Sequence, residues 1–185
     1  MRNASLREAA IGHKRLFAHA ITTALAALVC QAAIADSVLL GRVVGLADGD
    51  TVTVLDSSFV QHKIRVAGID APEKSQAFGN RSKAHLASLV MGKPVEVHWH
   101  KKDRYGRVVG LVMVGAVDAG LEQVRAGMAW HYTAYAREQS AEQQVSYAAA
   151  EADARLNHRG LWRDATPIAP WDFRAAKRQA HGSGP

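Results

Sequence analysis

The chain predicts a β-rich α+β fold, a five-stranded Greek-key barrel with about three helices. Two observations carry this expectation. Five short segments rich in β-branched residues are separated by turn signals, and a stretch of helical periodicity falls between the third and the fourth. At 185 residues, with 48% apolar and 22% charged, the composition fits one globular domain with appendages and excludes a largely disordered chain.

The strands are expected at about Val38 to Gly45, Thr51 to Leu55, Lys63 to Ile69, Val95 to Trp99 and Val108 to Val114, with ADGD, DSS and KKDRYGR as the intervening turns. Ala84, Leu86, Leu89 and Val90 share one side of a helix that Gly92 and Pro94 end. A short helix carries Leu121, Val124 and Met128 around Gly127, and a longer one rich in Ala, Glu and Gln covers about Ala141 to Asn157. Three strands, a helix, two strands and further helix is the order of the oligonucleotide/oligosaccharide-binding (OB) barrel, an order that other small α+β folds share.

Residues 1–35 read as a secretory signal peptide. Arg2, Arg7, Lys14 and Arg15 precede the apolar run Leu16 to Cys30, which is short for a membrane span, and Ala33-Ile34-Ala35 offers a small-residue cleavage site before Asp36. An uncleaved anchor is the competing reading, and His19, Thr22 and Thr23 interrupt its apolar run. Cleavage after Ala35 removes the only cysteine, so the remaining chain of about 150 residues, with its domain at 36–163, would fold on its own core without a disulfide. The same cut removes four of the 23 Lys+Arg and one of the 17 Asp+Glu; 19 positive charges then face 16 negative, and the net charge is +3 instead of +6. That balance is compatible with a nucleic-acid partner without pointing to one. Residues 164–185, with Pro167, Pro170 and a basic end, are expected to form an extended strap that becomes disordered.

The charged residues concentrate at three turns. In LADGDTVTV, Asp48-Gly49 fits a tight turn, but Asp50 opens a strand, where carboxylates are disfavoured. In RVAGIDAPE, Asp70 and Glu73 flank Pro72, which forces Ala71 into an extended conformation and frees its carbonyl from sheet pairing. Asp50, Asp70 and the Ala71 carbonyl form a hard-oxygen set without histidine or thiol, suited to Ca²⁺ or Mg²⁺ and not to zinc or copper. Three such donors leave room for water and a substrate phosphate, so Glu73 could position or deprotonate an attacking water. Arg65 opens the second stretch and Arg107 closes DRYGR; both suit the charge that builds on phosphoryl oxygens. Taken singly, each of these charges also fits a salt bridge or turn cation on a barrel rim.

DGDTVTV, IRVAGIDAPE and DRYGR, in this order, resemble the three signature segments of the staphylococcal nuclease (thermonuclease) family, and the likeness runs from about Ser37 to Trp162 through EQVRAGMAWHY and RGLW. The resemblance implies an OB-fold nuclease that binds one Ca²⁺ per domain, cleaves DNA and RNA with little sequence preference and leaves 3′-phosphate ends. It assigns Asp50, Asp70 and the Ala71 carbonyl to the metal, Glu73 to the general base, and Arg65 and Arg107 to the phosphate. Ala71 stands where the family prototype has threonine; a carbonyl donor needs no hydroxyl. Arg104 and Tyr105 match positions that touch a terminal phosphate. The prototype's two tyrosines fall at Thr133 and Tyr135, with Tyr132 one residue earlier, so either Tyr132 or Tyr135 could stack on a base. Trp130 is expected to pack a helix onto the barrel. An exported, secreted or periplasmic, monomeric enzyme without stable membrane association follows. The alternative is a catalytically inactive OB-fold module that only binds nucleic acid.

Overall fold

A computed structural model describes residues 37–182. Strand β1 (Ser37–Leu46) pairs antiparallel with β2 (Thr51–Leu55) on one side and β5 (Pro94–Lys102) on the other; β2 pairs with β3 (Gln61–Val66), and β5 with β6 (Val108–Val114). Parallel pairing of β3 with β6 closes the five strands into a barrel. Register shifts between Val43 and Gly45 and between Trp99 and Lys101 bend β1 and β5, which lets a sheet of long strands curl shut. A short β7 (Val117–Asp118) extends β6 at its edge.

The inward positions follow the period of two. Val52 and Val54, Ile64 and Val66, Val95 and Val97, and Val108 and Val112 meet in the barrel interior with Val43. Each such side chain contributes about 1.5–3 kcal/mol by leaving water. Leu86 and Val90 of α1 (Gly79–Val90) close one end of this core. Helix α2 (Ala119–Arg125) adds Ala119 and Val124, and α3 (Ala141–Leu156), opened by a reciprocal Ser140/Gln143 capping box, adds Tyr147 and Ala150.

The strand expected over Lys63 to Ile69 is broken. Val66 and Ile69 are both buried, yet three residues apart in one strand they would face opposite sides. A turn at Ala67-Gly68, with Gly68 at φ +75°, reverses the chain and returns Ile69 to the core. The two residues of β4 (Ile69–Asp70) then pair with β8 (Trp130–His131).

The tail also differs from the sequence expectation. Residues 164–169 are an irregular strap, but Pro170–Gly182 form a fourth helix, α4. Pro170 occupies the first helical position, where its missing N–H is not needed, and Asp172 lies in the first turn, where the helix dipole favours an anion. Composition alone hid these signals behind the basic residues. The strap docks through a second apolar cluster of Trp130, Ala154, Leu161, Trp162 and Ala169, against which Phe78 and Trp171 pack. Trp130 stands edge-on to Trp162 at 5.3 Å, the packing role expected of it. Residues 1–35, expected to be a signal peptide, lie outside the described residues, as do residues 183–185. Among the described residues no helix is long and apolar enough to cross a membrane.

Candidate active site

The turn before β2 is held from beneath. A Cβ on Gly49 would lie 1.9 Å from Ser82 Oγ and 2.9 Å from the Ala71 methyl, so only glycine lets the turn sit this close to α1. Gln123, fully buried on α2, donates from Nε2 to the Gly49 carbonyl at 2.8 Å and to the Ser82 carbonyl at 3.1 Å. Asp50 follows directly. Its Oδ1 accepts from Thr51 Oγ1 at 3.0 Å and its Oδ2 from the Ala71 amide at 3.0 Å, which joins the first signature turn to the second.

Asp70 is brought beside Asp50 by the β4–β8 pairing, which sets it opposite Trp130. Both aspartates are buried, and Arg65 reaches between them. Its Nη1 pairs with Asp50 Oδ2, and its Nη2 lies 3.0 Å from Asp70 Oδ1 and 3.2 Å from the Ile69 carbonyl. Burial pushes Asp50 upward, but the Arg65 charge and the Ala71 amide outweigh it and hold this carboxyl below its ordinary range. For Asp70 burial wins: its carboxyl is raised despite bonds from Arg174 and Arg65. Asp48, whose Oδ1 accepts from the Asp50 amide at 3.1 Å, is raised to about 6 by burial and by the charge of Asp50.

Across the cleft, the 103–107 turn is organised by Asp103. Its Oδ1 accepts from the Tyr105 and Arg107 amides at 2.9 and 3.0 Å, and its Oδ2 from Arg107 Nε at 2.7 Å. The Nη1 of Arg107 points to Thr51 Oγ1 at 3.4 Å, toward the hydroxyl that donates to Asp50. Tyr105 is exposed, with the Arg104 and Arg107 guanidiniums 4.9 and 5.7 Å from its ring. Glu73 ends the second stretch; its amide donates to Gln76 Oε1 at 3.1 Å.

Of the sequence-predicted residues, Asp50, Arg65, Asp70, Glu73, Arg104, Tyr105, Arg107, Tyr132 and Tyr135 all line one cleft of about 620 Å³. Ala71 is buried behind it, and among the described residues no hydrogen bond is made to its carbonyl. Tyr132 and Tyr135 stand 5.1 Å apart and differ in access: Trp171 stacks on Tyr132 at 5.5 Å, whereas Tyr135 is half-exposed with Lys101 5.3 Å from its ring.

Sequence reasoning missed Arg174, which lies on α4 and binds Asp70 and Glu73. It also missed Asp48 as a partner of Asp50, and Gln123, a polar residue among the apolar positions of α2. The N1 proline of α4 was the signal that could have found Arg174. Among the described residues no group of three or more His, Cys, Asp or Glu stands preassembled for a metal. Asp50 and Asp70 are nevertheless neighbouring buried carboxylates that share Arg65, hard-oxygen donors without histidine or thiol, and this donor chemistry fits a divalent cation.

Comparison with known proteins identifies the family. Residues 63–164 match the family described as staphylococcal nuclease homologue. An uncharacterized endonuclease of Haemophilus influenzae is 41% identical over 137 residues, 74% of this chain and 74% of that protein, and one of Escherichia coli is 41% identical over 138 residues, 74% of this chain and 86% of that protein. A micrococcal nuclease of Shigella flexneri is 36% identical over 170 residues, 87% of this chain and 94% of that protein. With the barrel, the three signature turns and these relatives in agreement, the chain belongs to the staphylococcal nuclease family.

Proposed function

We propose that the protein is a Ca²⁺-dependent nuclease that hydrolyses phosphodiester bonds of DNA and RNA and leaves 3′-phosphate ends. The observation that carries this reading is the convergence of Asp50, Asp70, Glu73, Arg65 and Arg107 on one cleft. A module that only binds nucleic acid has no use for buried paired aspartates there.

Asp50, Asp70 and the Ala71 carbonyl would hold the cation, which supplies charge neutralisation to the phosphodiester when bound. Arg65 and Arg107 both line the cleft, and their guanidiniums take the non-bridging phosphoryl oxygens as negative charge grows on them. Glu73 accepts a proton from the attacking water. The new P–O bond forms as the P–O5′ bond breaks, so the phosphate stays on the 3′ side; the departing 5′ oxygen takes up a proton from solvent, to which Glu73 returns the one it accepted. Tyr135, exposed beside Lys101, offers a stacking face to a base. Cleavage after Ala35 would deliver this domain, as a monomer, to the periplasm or medium.

The test offers linear double-stranded DNA, single-stranded DNA and RNA to the protein, with Ca²⁺ and with chelator, and determines the product ends. Ca²⁺-stimulated cleavage yielding 3′-phosphates supports the reading. Binding without cleavage leaves the inactive module in its place.

A further inference from the structure

Helix α4 is fastened across the cleft at several points. Ala169 and Pro170 are buried in the second apolar cluster region, and Gln76 Nε2 donates to the Ile168 carbonyl at 2.6 Å. The Trp171 ring lies 5.5 Å from Tyr132 at an interplanar angle of 19° and stands edge-on to Trp130 at 6.4 Å. One helical turn beyond Trp171, Arg174 enters the carboxylate corner. Its Nη2 is 2.6 Å from Asp70 Oδ2, and its Nη1 is 3.2 Å from Asp70 Oδ1 and 2.8 Å from Glu73 Oε1.

This geometry occupies both oxygens of Asp70 and one of Glu73. Arg65 and Arg174 together engage both oxygens of Asp70, whose side chain is 1% exposed, while the side chain of Arg174 is 35% exposed and shields it from solvent. A cation that binds Asp70 meets a guanidinium already held at 2.6 Å, so the two positive charges compete for the same oxygens, and the Glu73 Oε1 held at 2.8 Å must be released before it takes a proton from water. The fork of Arg174 therefore adds a second guanidinium, beside Arg65, to the carboxylates that a cation would need.

We propose that α4 is a built-in autoinhibitory latch: Arg174 competes with the divalent cation for Asp70 and with water for Glu73, and binding of Ca²⁺ and nucleic acid lifts the helix. The inference rests on the metal role given to Asp70 under the proposed function. In the latched state the apparent cation affinity is reduced by the fraction of molecules that are open. Arg178, one turn further along α4, also lines the cleft, so the helix that closes the site carries a second cation over it.

Calorimetric titration of Ca²⁺ into wild type, Arg174→Ala and Trp171→Ala, with hydrogen exchange of residues 170–182 in parallel, tests the latch. Loss of a positive charge at Arg174 tightens Ca²⁺ by simple electrostatics; Trp171→Ala removes only the docking ring and leaves every charge in place. The latch predicts that both variants bind Ca²⁺ about tenfold more tightly, the gain expected when a mostly closed population is opened. It also predicts that Ca²⁺ speeds exchange in α4 of the wild type. Tighter binding by Arg174→Ala alone, with α4 protection unchanged by Ca²⁺, would overturn the latch in favour of local charge repulsion. Equal affinity in all three proteins overturns the latch and leaves the metal reading standing. Weaker binding by Arg174→Ala also overturns it, because Arg174 would then support the working site. Ca²⁺ binding by none of the three removes the metal reading and the latch with it.

Discussion

Gln123→Met should loosen the cleft from below. The Gln123 amide is fully buried and donates to the Gly49 carbonyl at 2.8 Å and to Ser82 Oγ at 3.3 Å, while its Oε1 bonds to His85 Nδ1. Methionine keeps roughly the same volume, so no large cavity opens. It cannot donate, so the Gly49 carbonyl becomes a buried acceptor without a partner, at about 1–3 kcal/mol. The Ser82 carbonyl lies within α1 and His85 is partly exposed, so their losses are smaller. About 2 kcal/mol in a domain of this size lowers Tm by about 4–8 °C. Asp50 adjoins Gly49, so Ca²⁺ should raise the Tm of the variant less than that of the wild type. Scanning calorimetry with and without Ca²⁺ reads both effects. A Tm within about 1 °C of wild type would refute the tether; a lowered Tm with an undiminished Ca²⁺ response would refute its link to the metal side.

Three further predictions concern other links in the same scaffold. Tyr147→Phe removes the phenol that donates to Asp118 Oδ2 at 2.7 Å, where Asp118 caps α2 through the Gly120 and Leu121 amides; unfolding in urea should show a loss of about 1–3 kcal/mol, and wild-type stability would mean the bond contributes nothing net. Tyr135→Ala should weaken binding of short single strands by about 1–3 kcal/mol, roughly 5- to 150-fold by fluorescence anisotropy, whereas Tyr132→Ala, whose ring Trp171 already covers, should weaken it less. Slight burial raises the Asp103 carboxyl, but Arg107 and two backbone amides outweigh this and hold it below its ordinary range. The ordering of the 103–107 turn should therefore be complete above the unfolded value of about 4 and fade as pH falls through the lower folded value. Amide shifts of Tyr105 and Arg107 should follow that acid transition in the wild type and lose it in Asp103→Asn.

The barrel was legible in the sequence because its strands alternate. Val52 with Val54 and Val95 with Val97 show the period of two directly, and the predicted strand bounds lie within a few residues of those observed. The break at Gly68 was hidden because Val66 and Ile69 are apolar on both sides of it, and only the requirement that both reach the core reveals the turn. The five charged residues read from the three turns do share one cleft, since each turn joins strands that the barrel topology brings to the same end. Arg174 was invisible for a different reason: its partner Asp70 lies 104 residues away, and the docking depends on Trp171 meeting Tyr132 and Trp130. Gln123 escaped because a buried amide looks like a surface residue until the carbonyl it serves is known.

The most direct test of the central claim is the turnover of Glu73→Gln and Arg107→Ala beside the wild type, at saturating Ca²⁺ on linear single-stranded DNA, with circular dichroism confirming the fold. Loss of the base should lower the rate by about 10²–10⁴-fold, and loss of a guanidinium that stabilises transition-state charge by about 10²–10³-fold. Wild-type turnover in both variants would contradict the assignment of this cleft as the hydrolytic centre.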